Sequence, residues 1–351
     1  MRKLGVFILG ASLSLVFAVL GTYQKSDKIS ASASEEKIVY IGGMSAGFTL
    51  KTGGAQIIGL SEVMTDAGMR FPASEAGIKS GDKIVKVAGI KIESISELNE
   101  IINKTKEKEV EIELLRGNET LKIKIKPVKD KTTNKYKIGV LVRDNVSGIG
   151  TITYIEKDTG KFGALGHSVM NEDQSEMKIS NGNVFECNII GVNKGVRGKA
   201  GELRGMFLTD KTFGVAEKLS NCGIFGVIHT DFQDDNLIQA TATSHNAKPG
   251  EAYIYSTVDG ICPQKYEIEI VKVDKFNKEN KDFVIKITDN KLIDLTGGIV
   301  QGMSGSPIVQ DGKLVGAVTH VFLNDPTRGY GINIETMLNA EGSYGGDSWR
   351  L

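Results

Sequence analysis

Apolar and polar residues alternate along most of the chain in short runs that are separated by glycine-containing turns. Such alternation puts every second side chain on one face and is typical of half-buried β-strands. It predicts strands at residues 138–142, 150–154, 225–228, 252–257, 266–271 and 283–287, and a hairpin of residues 110–115 and 121–125. Long helical periods are hard to find, so the chain is expected to be mainly β, as in a sandwich or a barrel.

The N-terminus has a different pattern. Arg2 and Lys3 precede an uncharged stretch, residues 4–24, most of which is apolar. A basic start before an apolar run of nearly the ~20 residues that cross a bilayer is typical of an export signal or a signal anchor. No clear A-x-A cleavage site follows, so residues 1–24 are predicted to be an uncleaved anchor with its positive end inside. The polar residues 25–37 are predicted to be a flexible, exported stalk.

The composition narrows the possible functions. A chain of 351 residues is long enough for two domains. Its 43 basic and 43 acidic residues balance, so no overall field favours nucleic acid. The cysteines, Cys187, Cys222 and Cys262, lack C-x-x-C spacing, so a structural zinc site is not expected. Their odd number leaves at least one thiol unpaired, and buried free thiols are predicted.

The first folded unit is predicted at residues 38–125. It contains GGMSAGF (42–48) and EAGIKSGDKIVKVAGIKI (75–92), then a helix that Ser96 could cap, and then the hairpin. This order resembles a PDZ domain, and Ala-Gly-Ile-x-x-Gly-Asp is its most specific segment. The resemblance implies a loop whose backbone N–H groups receive a peptide terminus. That carboxylate-binding loop would comprise Ser45, Ala46, Gly47 and Phe48; a plain glycine turn is the alternative.

A polar, lysine-rich segment, KPVKDKTTNKYK (126–137), follows this unit. Such a composition is typical of a linker between domains, although a basic binding patch is the alternative. The second folded unit is predicted at residues 138–342 and a short tail at 343–351.

The second unit contains the segment Gly302-Met303-Ser304-Gly305-Ser306-Pro307. It resembles the Gly-x-Ser-Gly-x-Pro segment of trypsin-like serine peptidases, which implies a β-barrel peptidase domain. A nucleophilic serine needs a tight turn that exposes its hydroxyl and two backbone N–H groups aimed at the oxyanion. The amides of Gly302 and Ser304 would form this oxyanion hole. Ser306 is a competing hydroxyl, but it corresponds to the residue before the proline.

A serine nucleophile needs a base, and the chain offers four histidines: His167, His229, His245 and His320. His167 lies in a glycine-bounded turn, and His320 follows Ser304 by sixteen residues on a strand expected to line the cleft. Spacing alone does not choose among the four. Chain order favours His167, because histidine precedes serine in trypsin-like folds.

Two segments extend the resemblance: GALGHS (163–168) and ITDNKLIDLTGGIVQGMSGSPIVQDGKLVGAVTHVFLNDPTRGYGI (287–332). With the preceding PDZ-like unit, they resemble the stage IV sporulation protein B peptidase family over nearly the full chain. By position, the resemblance implies His167 as the catalytic histidine, Asp289 as the orienting acid and Ser304 as the nucleophile.

The assignment of the acid departs from the usual trypsin-like pattern. Asp289 precedes Ser304 by only fifteen residues, whereas such enzymes usually separate the two widely. Asp294 is the nearest alternative, and Asp231 is a further one.

The family resemblance also implies a biological role. Such a peptidase is secreted from the forespore into the space between two membranes during endospore formation. There it cleaves a protein regulator of an intramembrane metalloprotease complex, which then processes pro-sigma-K, and it cleaves itself. The expected partners are this protein substrate, a peptide or protein terminus at the PDZ domain, and the membrane through the anchor. Neither a metal nor an organic cofactor is expected.

Two other functions are compatible with the sequence. One is a non-catalytic PDZ adaptor, although an adaptor has no need of the glycine-serine motif together with His167. The other is an envelope quality-control protease, although such enzymes usually place the PDZ domain after the peptidase domain.

Overall fold

The computed structural model describes residues 37–170, 181–209, 212–229, 238–274, 276–277 and 279–342. The predicted anchor, nearly all of the predicted stalk and the C-terminal tail lie outside these ranges. Within them, no helix is both long enough and apolar enough to cross a membrane.

Strands predominate in these ranges, which confirms the mainly β class. In chain order they are β1 (Ile38–Ile41), β2 (Ser45–Leu60), β3 (Val63–Thr65), β4 (Gly68–Arg70), β5 (Lys83–Val87), β6 (Ile90–Lys91), β7 (Val110–Arg116), β8 (Glu119–Ile125), β9 (Val128–Lys129), β10 (Tyr136–Lys137), β11 (Val140–Glu156), β12 (Lys161–Ala164), β13 (Asn181–Asn193), β14 (Glu202–Leu208), β15 (Gly214–Ser220), β16 (Gly223–Ile228), β17 (Ile238–Ala242), β18 (Gly250–Ser256), β19 (Gln264–Val273), β20 (Phe283–Ile287), β21 (Pro307–Gln310), β22 (Lys313–Phe322) and β23 (Asp325–Asn333). The helices are α1 (Pro72–Glu75), α2 (Ile95–Thr105), α3 (Asn290–Thr296) and α4 (Ile334–Gly342). Each strand predicted in the second unit overlaps β11, β16, β18, β19 or β20.

Six strands form the first barrel. β11, β12, β16, β15, β13 and β2 are hydrogen-bonded in this order, and β2 pairs with β11 to close the ring. Every pairing in the ring is antiparallel. Because side chains alternate across a strand, every second residue points to the barrel interior. Apolar side chains fill it, among them Phe48, Ile152, Phe162 and Val184.

A second closed barrel consists of β18, β19, β20, β23, β22 and β21. Its core contains Ile254, Ile268, Phe283 and Ile285, all fully or almost fully buried. The nucleophile motif lies just before β21. The β-barrel predicted for this part of the chain is thus present, and it consists of two antiparallel barrels of six strands each.

The PDZ domain is built on the second half of β2. Ala55 and Gln56 pair with β5, and the sheet continues through β7 to β8, the predicted hairpin. Helix α2 covers this sheet with its apolar face, on which Leu98 is buried. Burial of such a side chain contributes ~1.5–3 kcal/mol. The helix is capped by Ser94, not Ser96, because Ser94 Oγ accepts the Glu97 N–H.

The structure corrects the boundary between the two folded units. β1 pairs with β11, and residues 45–51 of β2 pair with β11 or β13 in the first barrel. Residues 38–51 therefore belong to the first barrel, and the PDZ fold begins near Ala55 instead of at residue 38. β2 and β11 both run without a break from the barrel into the PDZ domain.

Residues 126–137, predicted to be a linker between the folded units, contain an ordered hairpin of β9 and β10. Asp130 holds its turn, because Oδ1 accepts the N–H groups of Thr132 and Thr133 and Oδ2 contacts Lys137 Nζ. The Lys137 ammonium group and these amides lower the pKa of Asp130 to about 2. Side-chain hydrogen bonds within the turn thus order a segment whose composition indicates a linker.

All three cysteines are free thiols. Cys187 and Cys222 are buried, as predicted, whereas Cys262 is exposed. Desolvation raises the pKa of Cys187 to about 11 and also raises the pKa of Cys222. The two buried thiols are therefore protonated at neutral pH and unreactive.

Candidate active site

The predicted nucleophile lies in a tight turn between α3 and β21. Gly302 and Gly305 adopt φ angles of 100° and 94°, which residues with a Cβ rarely enter. A Cβ on Gly305 would also lie 2.1 Å from the carbonyl oxygen of Thr151 in β11. Both the turn and its packing against β11 therefore require glycine.

Ser304 is partly exposed in this turn, and its Oγ donates a hydrogen bond of 2.9 Å to the carbonyl oxygen of Thr319. Ser306, the competing hydroxyl, is fully buried and donates to Ser256 Oγ. Of the two serines in the motif, Ser304 is thus the one that a substrate carbonyl can reach.

Two backbone N–H groups beside this hydroxyl, those of Gly302 and Ser304, donate to no acceptor among the described residues. The carbonyl oxygens of the same two peptide groups are held, because they accept the N–H groups of Leu203 and Ser306. In a planar trans peptide the N–H points away from the C=O. The held carbonyls therefore fix the directions of the two free N–H groups, as an oxyanion hole requires.

His167 follows β12 in a turn where Leu165 and Gly166 have φ angles of 70° and 71°. Its Nδ1 lies 2.8 Å from the carbonyl oxygen of Ser168. Because a carbonyl oxygen only accepts hydrogen bonds, Nδ1 carries the proton in this geometry. Nε2 is then the unprotonated nitrogen, which is the state that a general base needs.

His320 in β22 lies beside His167, with 4.9 Å between the ring centroids. Burial lowers the pKa of His167, and its hydrogen bond to Ser168 opposes this effect. Desolvation is the main cause that lowers the pKa of His320 to about 4, and repulsion from a protonated His167 and from Lys281 adds to it. Both imidazoles are therefore neutral near pH 7.

Ser304, His167 and His320 line one cleft of about 620 Å³. The other lining residues come from both barrels, and they include Phe48, Leu165, Val169, Met170, Ile299, Val300 and Leu323. Among the described residues, none that lines the cleft has a formal charge. The described ranges also contain no group of three or more His, Cys, Asp or Glu residues that could hold a metal ion.

Asp289 is not among the residues that line the cleft. It is the N-cap of α3: Oδ1 accepts the Leu292 N–H at 3.0 Å, and Oδ2 accepts the Glu267 N–H at 3.3 Å. The partner of His167 Nδ1 in this structure is the carbonyl oxygen of Ser168. The role of Asp289 as the orienting acid stays a prediction.

The other candidates lie elsewhere. Asp294 is exposed on α3, and neither it nor His229 or His245 lines the cleft. Asp231 lies outside the described residues.

The structure corrects the expectation of a carboxylate-binding loop near residue 45. The four residues assigned to it are the buried start of β2, paired with β11 on one side and, from Ala46, with β13 on the other. Backbone N–H groups inside such a sheet are not free to receive a carboxylate. A Cβ on Gly47 would lie 2.4 Å from the Phe207 ring, so this glycine serves the packing of the barrel.

Three threonines at the site were not predicted from the sequence. Thr319 accepts the hydrogen bond of Ser304, and its own buried Oγ1 has no hydrogen-bond partner in the described part of the chain. Thr151 and Thr153 of β11 are fully buried and donate to carbonyl oxygens of the nucleophile turn. The sequence contains a signal for two of them, because residues 151 and 153 place hydroxyl groups on one face of a largely apolar strand.

Comparisons with known proteins show which families the chain matches. The SpoIVB peptidase S55 model matches residues 134–338, and a PDZ domain model matches residues 56–126, close to the boundary seen in the structure. Regulator of sigma-W protease RasP from Bacillus subtilis (strain 168) is 37% identical over 76 residues, which are 22% of this chain and 17% of that protein. Serine protease HTRA1 from Xenopus laevis is 39% identical over 80 residues, 23% of this chain and 16% of that protein. The chain thus spans about a sixth of the length of these relatives.

Two solved structures have partial similarity. The PDZ domain of an SdrC-like protein from Listeria monocytogenes is 22% identical over 26% of this chain and 90% of that chain, with a TM-score of 0.21. An inactive mutant of Rv3671c from M. tuberculosis H37Rv is 11% identical over 57% of this chain and 84% of that chain, with a TM-score of 0.29. Because the peptidase model matches more than half of the sequence, the chain belongs to the SpoIVB peptidase S55 family, and its residues 56–126 match a PDZ domain.

Proposed function

We propose that the protein is an endopeptidase in which Ser304 attacks the scissile carbonyl and His167 accepts the serine proton. One observation carries the proposal: a single cleft combines an accessible serine hydroxyl, two unpaired amides beside it and a histidine with an unprotonated Nε2. For attack, Ser304 Oγ exchanges its hydrogen bond to Thr319 for one to Nε2. Catalytic hydrogen bonds often form only with substrate bound, so this exchange accompanies binding.

The chemistry then follows from the positions of the groups. Attack places negative charge on the substrate carbonyl oxygen, which accepts the N–H groups of Gly302 and Ser304. The protonated His167 gives its proton to the leaving amine, and water repeats the sequence on the acyl enzyme. Asp289 is the proposed orienting acid, a role that requires its carboxylate to leave the backbone N–H groups that it caps here.

The proposed substrate is a protein met after export into the space between the two forespore membranes. Family membership supports a regulator of an intramembrane metalloprotease complex, whose cleavage starts pro-sigma-K processing in endospore formation. The lining of the cleft adds a chemical preference. A charged substrate residue that entered a cleft without charged side chains would lose its water and find no counter-charge, which costs free energy. An uncharged apolar residue is therefore favoured before the scissile bond.

The PDZ domain is proposed to bind an extended peptide or protein terminus at the edge of β11. Residues 140–146 pair with β2 on one side, and no described strand pairs with their other side. Helix α2 lies next to this segment, since its Ile95 N–H donates to Asp144. An extended peptide adds a strand to a sheet edge of this kind.

The test is to map the N-termini of all products formed by the purified full-length protein and by Ser304→Ala. Wild type should make few cuts, with an apolar residue before each scissile bond and one cut in the stalk between residues 26 and 36. Ser304→Ala should make none. Broad digestion of casein would instead indicate a quality-control protease, and the absence of any cleavage by wild type would leave the adaptor function.

The pH profile gives an independent test of the base. Burial lowers the pKa of His167 below the ordinary 6.5, so the imidazole stays neutral and active as the pH falls past that value. The acid limb of kcat/KM for a fluorogenic peptide should therefore lie below pH 6.5. An acid limb above pH 6.5 would contradict a buried, neutral His167 as the base.

A further inference from the structure

Strand β11 holds the nucleophile turn through two threonines. The Thr151 N–H donates to the Ser304 carbonyl oxygen at 2.9 Å, and Thr151 Oγ1 donates to the Gly302 carbonyl oxygen at 2.8 Å. Thr153 Oγ1, on the same face of the strand, donates to the Gly305 carbonyl oxygen at 2.8 Å. Three hydrogen bonds from one strand therefore fix the carbonyls on both sides of the nucleophile.

Thr151 fixes the two peptide groups that flank the amide of Ser304. Its hydroxyl donates to the carbonyl of the peptide group that joins residues 302 and 303. Its N–H donates to the carbonyl of the peptide group that joins residues 304 and 305. A peptide group rotates as one plane. Each of the two groups keeps a second hydrogen bond through its own N–H. Loss of the donor from Thr151 would therefore let its carbonyl tilt, and the adjoining oxyanion amides would then depart from the directions that the substrate oxygen needs.

The same strand begins in the PDZ domain. Its first residues, Val140 and Val142, pack against the PDZ core. At Asp144, Oδ2 accepts the N–H of Ile95, the first residue of α2, at 2.8 Å. From Asp144 to Thr151 is seven residues, or about 23 Å of extended chain, and β2 pairs with most of this length.

We infer that Thr151 is a positioning residue for the oxyanion-forming turn and that the PDZ domain acts on this turn through β11. The inference rests on the proposed function, because it concerns the amides that would bind the substrate oxyanion. The edge proposed to receive a PDZ ligand belongs to the strand that carries Thr151. A ligand at that edge therefore changes the rate at which Ser304 is acylated.

The first arm of the test compares Thr151→Val, Thr151→Ser and Thr257→Val. Thr257 is the matched control, because it is also fully buried and its Oγ1 donates to a carbonyl oxygen, that of Gly43, outside the turn. Each full-length variant is assayed for acylation by a fluorophosphonate probe, for kcat and KM with a fluorogenic peptide, and for melting temperature.

Thr151→Val should acylate about 10- to 100-fold more slowly, somewhat less than the loss of a whole oxyanion donor. Its kcat should fall while KM stays within about twofold, because the oxyanion forms only after binding. Thr151→Ser should restore the rate, and Thr257→Val should lower the melting temperature without slowing acylation. Equal slowing in Thr151→Val and Thr257→Val would overturn the inference. A wild type that does not react with the probe would overturn the proposed function itself.

The second arm disturbs the PDZ end of the strand. Asp144→Ala removes the acceptor of the Ile95 N–H and should slow acylation of Ser304 by about fivefold, the lower end of typical coupling between sites. Asp158→Ala changes an exposed acid in the turn after β11 and should leave the rate unchanged. An Asp144→Ala rate equal to that of wild type would overturn the action of the PDZ domain on the turn.

Discussion

Replacing Ser304 by alanine is expected to abolish peptide-bond cleavage and leave the fold intact. Loss of a serine nucleophile lowers kcat on the order of 10⁴- to 10⁶-fold. The hydroxyl makes one hydrogen bond, to the Thr319 carbonyl, and is partly exposed, so its removal should cost only about 1 kcal/mol of stability. Turnover of a fluorogenic peptide and the melting temperature of the same preparation measure the two effects separately.

His167→Ala should lose nearly as much activity as Ser304→Ala, and the double variant should lose little more. The two side chains act in one proton transfer, so their effects are far from additive. His320→Ala is the matched control, because its ring lies in the same cleft 4.9 Å from that of His167. A larger loss in His320→Ala than in His167→Ala would transfer the role of base to His320.

The nucleophile turn was predictable from sequence because its determinants are local. Glycines at 302 and 305 adopt positive φ, and the following proline opens β21, so a short motif specifies the whole turn. The predicted strands and hairpin were found for the same reason, since alternation within each strand reports its burial. Helix α2 shows the limit of such signals, because its cap lies two residues before the predicted one.

The division into two folded units could not be predicted in the same way. The segment containing Gly47 has the glycine pattern of a loop, yet residues 46–51 pair with strands roughly a hundred or more residues away, on both sides. Its glycine is needed because the Phe207 ring of β14 packs against it, a contact that no local pattern reveals. Strand pairing across such distances is set by the whole barrel, so the PDZ boundary emerged only from the fold.

For the orienting acid, the sequence and the geometry give different kinds of information. Asp289 matches the family by position, and the structure gives that carboxylate a complete local role as the cap of α3. The tautomer of His167 is set here by a backbone carbonyl, that of Ser168. The residue that caps a helix is next to it in the sequence and can be predicted from the sequence. The acceptor that contacts an imidazole depends on how separate loops are placed in the fold.

Gly305→Ala is expected to cause a large loss of both turnover and stability. At a φ of 94° a Cβ would lie 2.1 Å from the Thr151 oxygen and 2.6 Å from the Leu165 nitrogen, both backbone atoms that cannot swing aside. The turn must therefore move away from β11 and lose the hydrogen bonds that Gly305 makes to Val318 and Thr153. We expect kcat to fall about 10²- to 10³-fold, as for a lost oxyanion donor, and stability to fall by about 2–5 kcal/mol.

Gly312→Ala is the control that introduces a Cβ at a positive φ without a steric clash. Gly312 also has a positive φ, 76°, in the turn between β21 and β22, but a Cβ there would meet no atom within 4 Å. This variant should lose only the ~1–2 kcal/mol of a left-handed residue and keep full turnover. Urea unfolding and peptide kinetics on both variants measure the difference. If Gly305→Ala lost no more stability than Gly312→Ala and still turned over substrate normally, β11 would not be what holds the nucleophile turn in place.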